Sequence, residues 1–202
     1  MNGISAREAN AAKGGIATLP ATVLVGALIV ALLTIPFGGN AALPHWVHWA
    51  SSLSSYDLDG DGAEESLFVN RGSLSVQDGM HDARIVTPRS WHVSNAFVND
   101  LDRDGTPEII LMAWRRGSYG SAHPFWVSLN SSGFSQHVFV FNYENAQLNA
   151  LWMSSALGFE AHDPSVDGEG VLHLVTEEGQ PLSFAWESWG FTLVEDDMEA
   201  AR

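Results

Sequence analysis

The chain has 202 residues, with 24 acidic and 9 basic side chains and a formal charge of −15. That length allows one domain, or one domain with a small appendage. So acidic a surface repels phosphate backbones and attracts divalent cations, which argues against a nucleic-acid partner. No cysteine is present, which removes disulfides, thiolate zinc sites, iron–sulfur clusters, cysteine nucleophiles and lipid-modified cysteine anchors. Eight Trp and ten Phe supply enough apolar mass for a packed core, unlike a disordered acidic chain.

In chain order, residues 1–15 read as a short cytoplasmic tail carrying Arg7 and Lys13. Ile16–Phe37 follows, 22 residues without a charged side chain. A helix of that length spans a bilayer core of roughly 30 Å. Pro20 falls near its first turn, where a missing N–H costs little. Pro36, Gly38 and Gly39 close it. After Lys13 no Lys or Arg recurs until Arg71, so the positive-inside rule predicts a single-pass signal anchor with everything after about residue 40 extracytoplasmic. The competing reading is a cleaved signal peptide with small residues at Gly39-Asn40-Ala41, which would make the remainder secreted. Its apolar segment is long for that role.

The remaining chain, 41–195 with an acidic tail at 196–202, holds an internal repeat. Asp57-Leu58-Asp59-Gly60-Asp61-Gly62-Ala63-Glu64-Glu65 matches Asp100-Leu101-Asp102-Arg103-Asp104-Gly105-Thr106-Pro107-Glu108, 43 residues later. A third, eroded copy is Ser165–His173. Each copy runs into an apolar segment: Ser66–Val69, Ile109–Trp114 and Leu172–Val175. These, with Ser52–Tyr56 and His92–Val98 before the first two loops, predict strands. Each loop therefore joins two strands.

The spacing suits a hard cation. Calcium takes six to eight oxygen ligands at about 2.3–2.6 Å. Carboxylates at positions 1, 3 and 5 of a tight loop converge, and the glycine at position 6 permits the bend. The predicted ligands are Asp57, Asp59, Asp61 and Glu65 in the first loop, and Asp100, Asp102, Asp104 and Glu108 in the second. An EF-hand would need flanking helices and an acid at position 12, where Phe68 and Leu111 stand. The alternative is a pair of Asp/Gly-rich turns that bind nothing. The third copy has Ser165 at position 1 and His173 at position 9, so it keeps the turn and loses two hard ligands.

The loops of the form D-x-D-x-D-G-x-x-[DE] between strands resemble the FG-GAP/VCBS-type repeats of integrin-like β-propellers. So do the segments Trp114–Gly120, His123–Val127, Ser135–Phe141, Trp152–Leu157 and Ala185–Val194. The resemblance covers about residues 46–195. It implies an all-β ectodomain of propeller-like antiparallel blades; the length leaves room for three to four repeats, behind the one transmembrane helix expected at 16–37. It also implies calcium as a structural ion. The expected function is a binding or scaffold module at the cell envelope with a protein or glycan partner. Open sheet edges would invite an oligomer. A hydrolase of envelope polymers and a structural subunit of an envelope complex are the alternative readings.

No catalytic constellation emerges from the sequence. There is no G-x-S-x-G elbow, and Gly117–Ser121 lacks the Lys-Ser/Thr of a phosphate loop. His45 and His48 form a pair without a third zinc ligand at obvious spacing. The eight Trp read mainly as packing between sheets, with Trp186 and Trp189 as candidates for stacking on sugars. Arg115-Arg116 reads as a solvated or salt-bridging pair. The 65-residue offset from the start of the second loop to the start of the third, against 43 between the first two, suggests an extended middle blade or an insertion around Gly117–Phe134.

Overall fold

The structure is a computed structural model, and it describes residues 42–119 and 132–194. The predicted anchor at 16–37, most of the stretch between Gly117 and Phe134, and the acidic tail lie outside the described residues. No helix among the described residues is long and apolar enough to cross a membrane.

The described chain is all-β. It forms three four-stranded antiparallel sheets, each a simple meander of consecutive strands. Sheet one contains β1 (Ser52–Tyr56), β2 (Glu65–Asn70), β3 (Ser73–Asp78) and β4 (Ala83–Val86). Sheet two contains β5 (His92–Asn99), β6 (Glu108–Arg116), β7 (Phe134–Glu144) and β8 (Gln147–Met153). Sheet three contains β9 (Ala161–Val166), β10 (Leu172–Thr176), β11 (Pro181–Glu187) and β12 (Gly190–Leu193). The described residues form no closed barrel.

Side-chain alternation decides how the sheets stack. In β2, Glu65, Leu67 and Val69 are buried while Phe68 and Asn70 are exposed, so sheet one has one covered face. In β6 every residue from Glu108 to Trp114 is buried. A strand apolar at consecutive positions is buried on both faces. Ile109, Leu111 and Ala113, with Phe139 and Phe141 of β7, pack against Leu67, Val69, Leu74 and Val76 of sheet one. Ile110 and Met112, with Val138 and Val140, pack against Leu172, Leu174 and Phe191 of sheet three. Sheet two is thus the middle layer. Its β6 and β7 span 9 and 11 residues, the longest strands of the three sheets, in keeping with the extended middle repeat read from the sequence.

Local chemistry sets the turns. Asn70 pairs with Ser73 across Arg71 and Gly72, whose φ values are 50° and 80°. Two positive φ values are what a tight type I′ hairpin needs. The β7–β8 turn does the same with Asn145 and Ala146 at 53° and 58°. At the β11–β12 turn Gly190 lies against the Trp152 indole, where an added Cβ would come within 2.6 Å of Nε1. This contact ties sheet three to the outer strand of sheet two.

Candidate metal centres

All three D-x-D-type segments occupy the same place in their sheets, the connection between first and second strands. Two devices set each full loop. The leucine at position 2 is a plug: Leu58 enters the core between sheets one and two, and Leu101 enters the core between sheets two and three. The glutamate at position 9 starts the second strand and reaches back. Glu65 Oε2 accepts the Leu58 N–H at 2.8 Å, and Glu108 Oε2 accepts the Leu101 N–H at 2.8 Å.

The aspartates repeat the same bonding. Asp57 Oδ2 accepts from Gly62 N–H at 3.0 Å, and Asp100 Oδ2 from Gly105 N–H at 3.0 Å. Asp61 Oδ1 accepts from Ala63 N–H at 2.7 Å, and Asp104 Oδ1 from Thr106 N–H at 2.7 Å. Gly62 and Gly105 have φ of 87° and 95°, a backbone that side-chain-bearing residues resist. One oxygen each from Asp57, Asp59 and Asp61 lies within 4.8 Å of the others, and the same holds for Asp100, Asp102 and Glu108. Three of the four expected ligands converge in each loop. Glu65 stays on its backbone partner, and Asp104 stands outside the second trio.

The residues fit a hard divalent cation. Asp57 Oδ1 is buried and has no hydrogen-bond partner. Glu65 and Glu108 are 1% and 3% exposed. Burial pushes the Glu108 carboxyl up to about 7, and the charges of Asp102, Asp104 and Asp100 add to that. Burial likewise raises Glu65, with Asp59, Asp78 and Asp61 contributing. Among the described residues no arginine pairs with a loop carboxylate; the ion pairs are His81–Asp78 and His173–Asp167. Clustered carboxylates with no arginine paired to them could hold a hard divalent cation, with His81 standing beside Asp59 at the first loop.

The third copy is closed on itself. Asp167 Oδ1 accepts from Glu169 and Val171 N–H, both at 2.9 Å, and its Oδ2 lies 3.1 Å from His173 Nε2. These bonds, the Val171 amide foremost, lower the Asp167 pKa. The imidazole at position 9 thus takes the side of the loop that glutamate holds in the other two.

The sequence reading missed the neighbours of loop one. Asp78, 2% exposed, receives the Tyr143 hydroxyl at 2.6 Å and lies 2.7 Å from His81 Nδ1. The Tyr143 bond, then the His81 amide, hold Asp78 well below the usual carboxylate range. Asp59, Asp78 and His81 also converge within 4.8 Å. No spacing rule links positions 59, 78 and 143, and Asp78 ends a strand, Ser73–Asp78, of mixed polar and apolar residues, so nothing local marked it.

Other candidates resolve into packing. Arg115 and Arg116 form no ion pair among the described residues. Their guanidinium groups lie 5.5 Å above the Phe139 ring and 4.4 Å above the Phe134 ring, cation–π contacts that replace the salt bridges entertained from sequence. Ser135 and His137 are 3.0 Å apart but 1% and 0% exposed. Burial, then the Arg115 charge, press His137 down to about 4, so it is neutral at pH 7. Trp186 packs edge-on against Trp152, while Trp189 is 69% exposed.

The chain has no significant match to protein-family models, to curated proteins or to solved structures.

Proposed function

We propose that the chain is a membrane-anchored, extracytoplasmic calcium-binding β-repeat domain with propeller-like blades of the FG-GAP/VCBS type, serving as a binding or scaffold module at the cell envelope. The observation that carries this reading is the duplicated loop: the same leucine plug, glutamate hook and aspartate bonds recur at the same hairpin of two successive sheets. The anchor and its orientation rest on the uncharged 16–37 segment and the flanking charges.

Asp57, Asp59, Asp61 and Glu65 would hold one ion, and Asp100, Asp102, Asp104 and Glu108 the other. The ion supplies positive charge to carboxylates that otherwise repel. The role of the chain's own residues is mechanical. Each loop carries the leucine that plugs the core between its sheet and the next, so fixing the loop fixes the stacking of adjacent sheets. A rigid stack then presents its outer faces and edge strands to a partner.

Calorimetric titration of calcium into the full chain, held in a neutral detergent, tests the reading. Two sites with Kd of about 10⁻³ M or tighter are expected, as for extracellular modules. Absence of binding heat up to about 10 mM calcium would reduce both loops to plain turns.

A further inference from the structure

The two ends of the sheet stack differ in charge. In each sheet the first strand runs toward the D-x-D-type segment, so the meanders gather those segments at one end. The β2–β3, β4–β5, β6–β7 and β10–β11 connections fall at the other. Contacts between sheets keep like ends together. At the loop end Tyr143 bonds Asp78, and Asn99 Nδ2 donates to Asp167 O at 3.1 Å. At the opposite end Val93 N–H donates to Gly72 O at 2.8 Å, and Ala161 N–H to Gln136 Oε1 at 2.7 Å.

Between Ala42 and Met153 every described carboxylate, from Asp57 to Glu144, lies at the loop end. The opposite end of sheets one and two carries Arg71, Arg89, Arg115 and Arg116; Arg84 and Arg103 stand among the acids. Arg71, Arg89 and Arg116 are exposed, and none forms an ion pair among the described residues. Arg116 is braced at its strand end, over the Phe134 ring and donating to Ser132 O at 2.8 Å. Sheet three does not share this charge, since Glu160, Glu177 and Glu178 stand at its end. A chain of −15 thus has an acidic pole and, opposite it, a basic flank.

The chain enters at the arginine end. Residues 42–51 cross that end. Trp46 stacks on His162 at 3.9 Å and meets Trp114 edge-on at 5.8 Å. Trp49 covers Gly72, where an added Cβ would lie 3.6 Å from its ring, and β1 then begins. If the span ends at Phe37, five extended residues reach no more than about 18 Å to Ala42. The 11 residues of β7 extend about 37 Å along the strands. The tether therefore keeps the arginine end close to the bilayer and allows the loops to stand far from it.

Charge then selects the tilt. An anionic surface attracts each exposed arginine, a factor of about five in population apiece, and repels the loop carboxylates. Trp49, 39% exposed at this end, suits the headgroup level, where indole rings gather. Resting on the anchor reading, we infer that the arginine end of sheets one and two docks on the anionic phospholipid headgroups of the anchoring bilayer and holds the Asp-rich loops outward.

The full chain has no cysteine, so one introduced cysteine carries one fluorophore. Ser90→Cys marks the arginine end and Ser188→Cys the loop end, both at exposed positions. Each chain is placed in nanodiscs of phosphatidylcholine, with and without phosphatidylglycerol, and energy transfer to a headgroup-labelled lipid is read. Transfer from position 90 is expected to exceed that from position 188, and phosphatidylglycerol to widen the gap. Combining Arg71→Gln, Arg89→Gln and Arg116→Gln is expected to abolish the widening, the docked population falling about fivefold per arginine. Should that variant not fold, Arg89→Gln alone, in a connection, is expected to reduce it. Equal transfer from both positions, or a gap that phosphatidylglycerol leaves unchanged, would overturn the docking and leave the anchor standing. A chain that does not stay with the discs would overturn the anchor and the docking with it.

Discussion

Leu111→Ala and Met112→Ala are each expected to lower the unfolding free energy by about 2–5 kcal/mol, the range for emptying a buried site of that size. The expectation is unusual for adjacent positions on a strand, because neighbours point to opposite faces. Here both faces are covered. Leu111 packs into the core shared with sheet one, and Met112 into the core shared with sheet three. Phe68→Ala is the control: Phe68 is 40% exposed on the outer face of sheet one and should cost far less. Urea unfolding of the three variants measures this. A cost below about 1 kcal/mol for either core variant would mean that its face of sheet two is uncovered.

With calcium stripped, the Glu108 carboxyl is expected to contribute about 1–3 kcal/mol more stability at pH 5 than at pH 7.5. The folded Glu108 carboxyl titrates near 7, above its ordinary 4.5. Between those values the folded chain holds a proton that the unfolded chain has released. Stability from this group is therefore present below about 4.5 and lost as pH rises through 7. Glu65 is shifted the same way. Asp78 and Asp167 are shifted down and act with the opposite sign, but only below their ordinary 3.8; His137, pressed from 6.5 to about 4, also acts with the opposite sign and inside this window, while His81, shifted up, acts with Glu108. With calcium present the trend should reverse, because metal binding requires deprotonated carboxylates. Thermal melts of the stripped natural chain and of Glu108→Gln across this range check it, the difference between the two profiles isolating the Glu108 contribution. A natural chain that gains no stability relative to Glu108→Gln on acidification to pH 5 would contradict the assignment.

Much of the fold is legible in the sequence because the loops punctuate it. Ser52–Tyr56 is β1 as read, and the apolar runs after each loop are the cores of β2, β6 and β10. The unbroken apolar run Ile109–Trp114, read as a strand, is the one buried on both faces. The hairpin Ala185–Val194 is the closing strand pair of sheet three. Layer order was not legible, since nothing local tells Ile110 from Leu111. The convergence of three carboxylates in each full loop was legible because their spacing is short-range. Asp78, Tyr143 and the Trp46–Trp114–His162 group were not, because contacts over tens of residues come only from sheet stacking. Arg115 and Arg116, read as a solvated or salt-bridging pair, end a buried strand beside Phe139 and Phe134: Arg116 is exposed, and no acid pairs with either among the described residues.

The central claim is that two ions hold the loops, and through Leu58 and Leu101 the stacking of the sheets. Its most direct test is a thermal melt of the full chain with calcium and with chelator at pH 7.5, beside an Asp57→Asn/Asp100→Asn variant. The account predicts a clear rise in melting temperature with calcium for the natural chain and little or none for the variant. An identical melt with calcium and with chelator would contradict it.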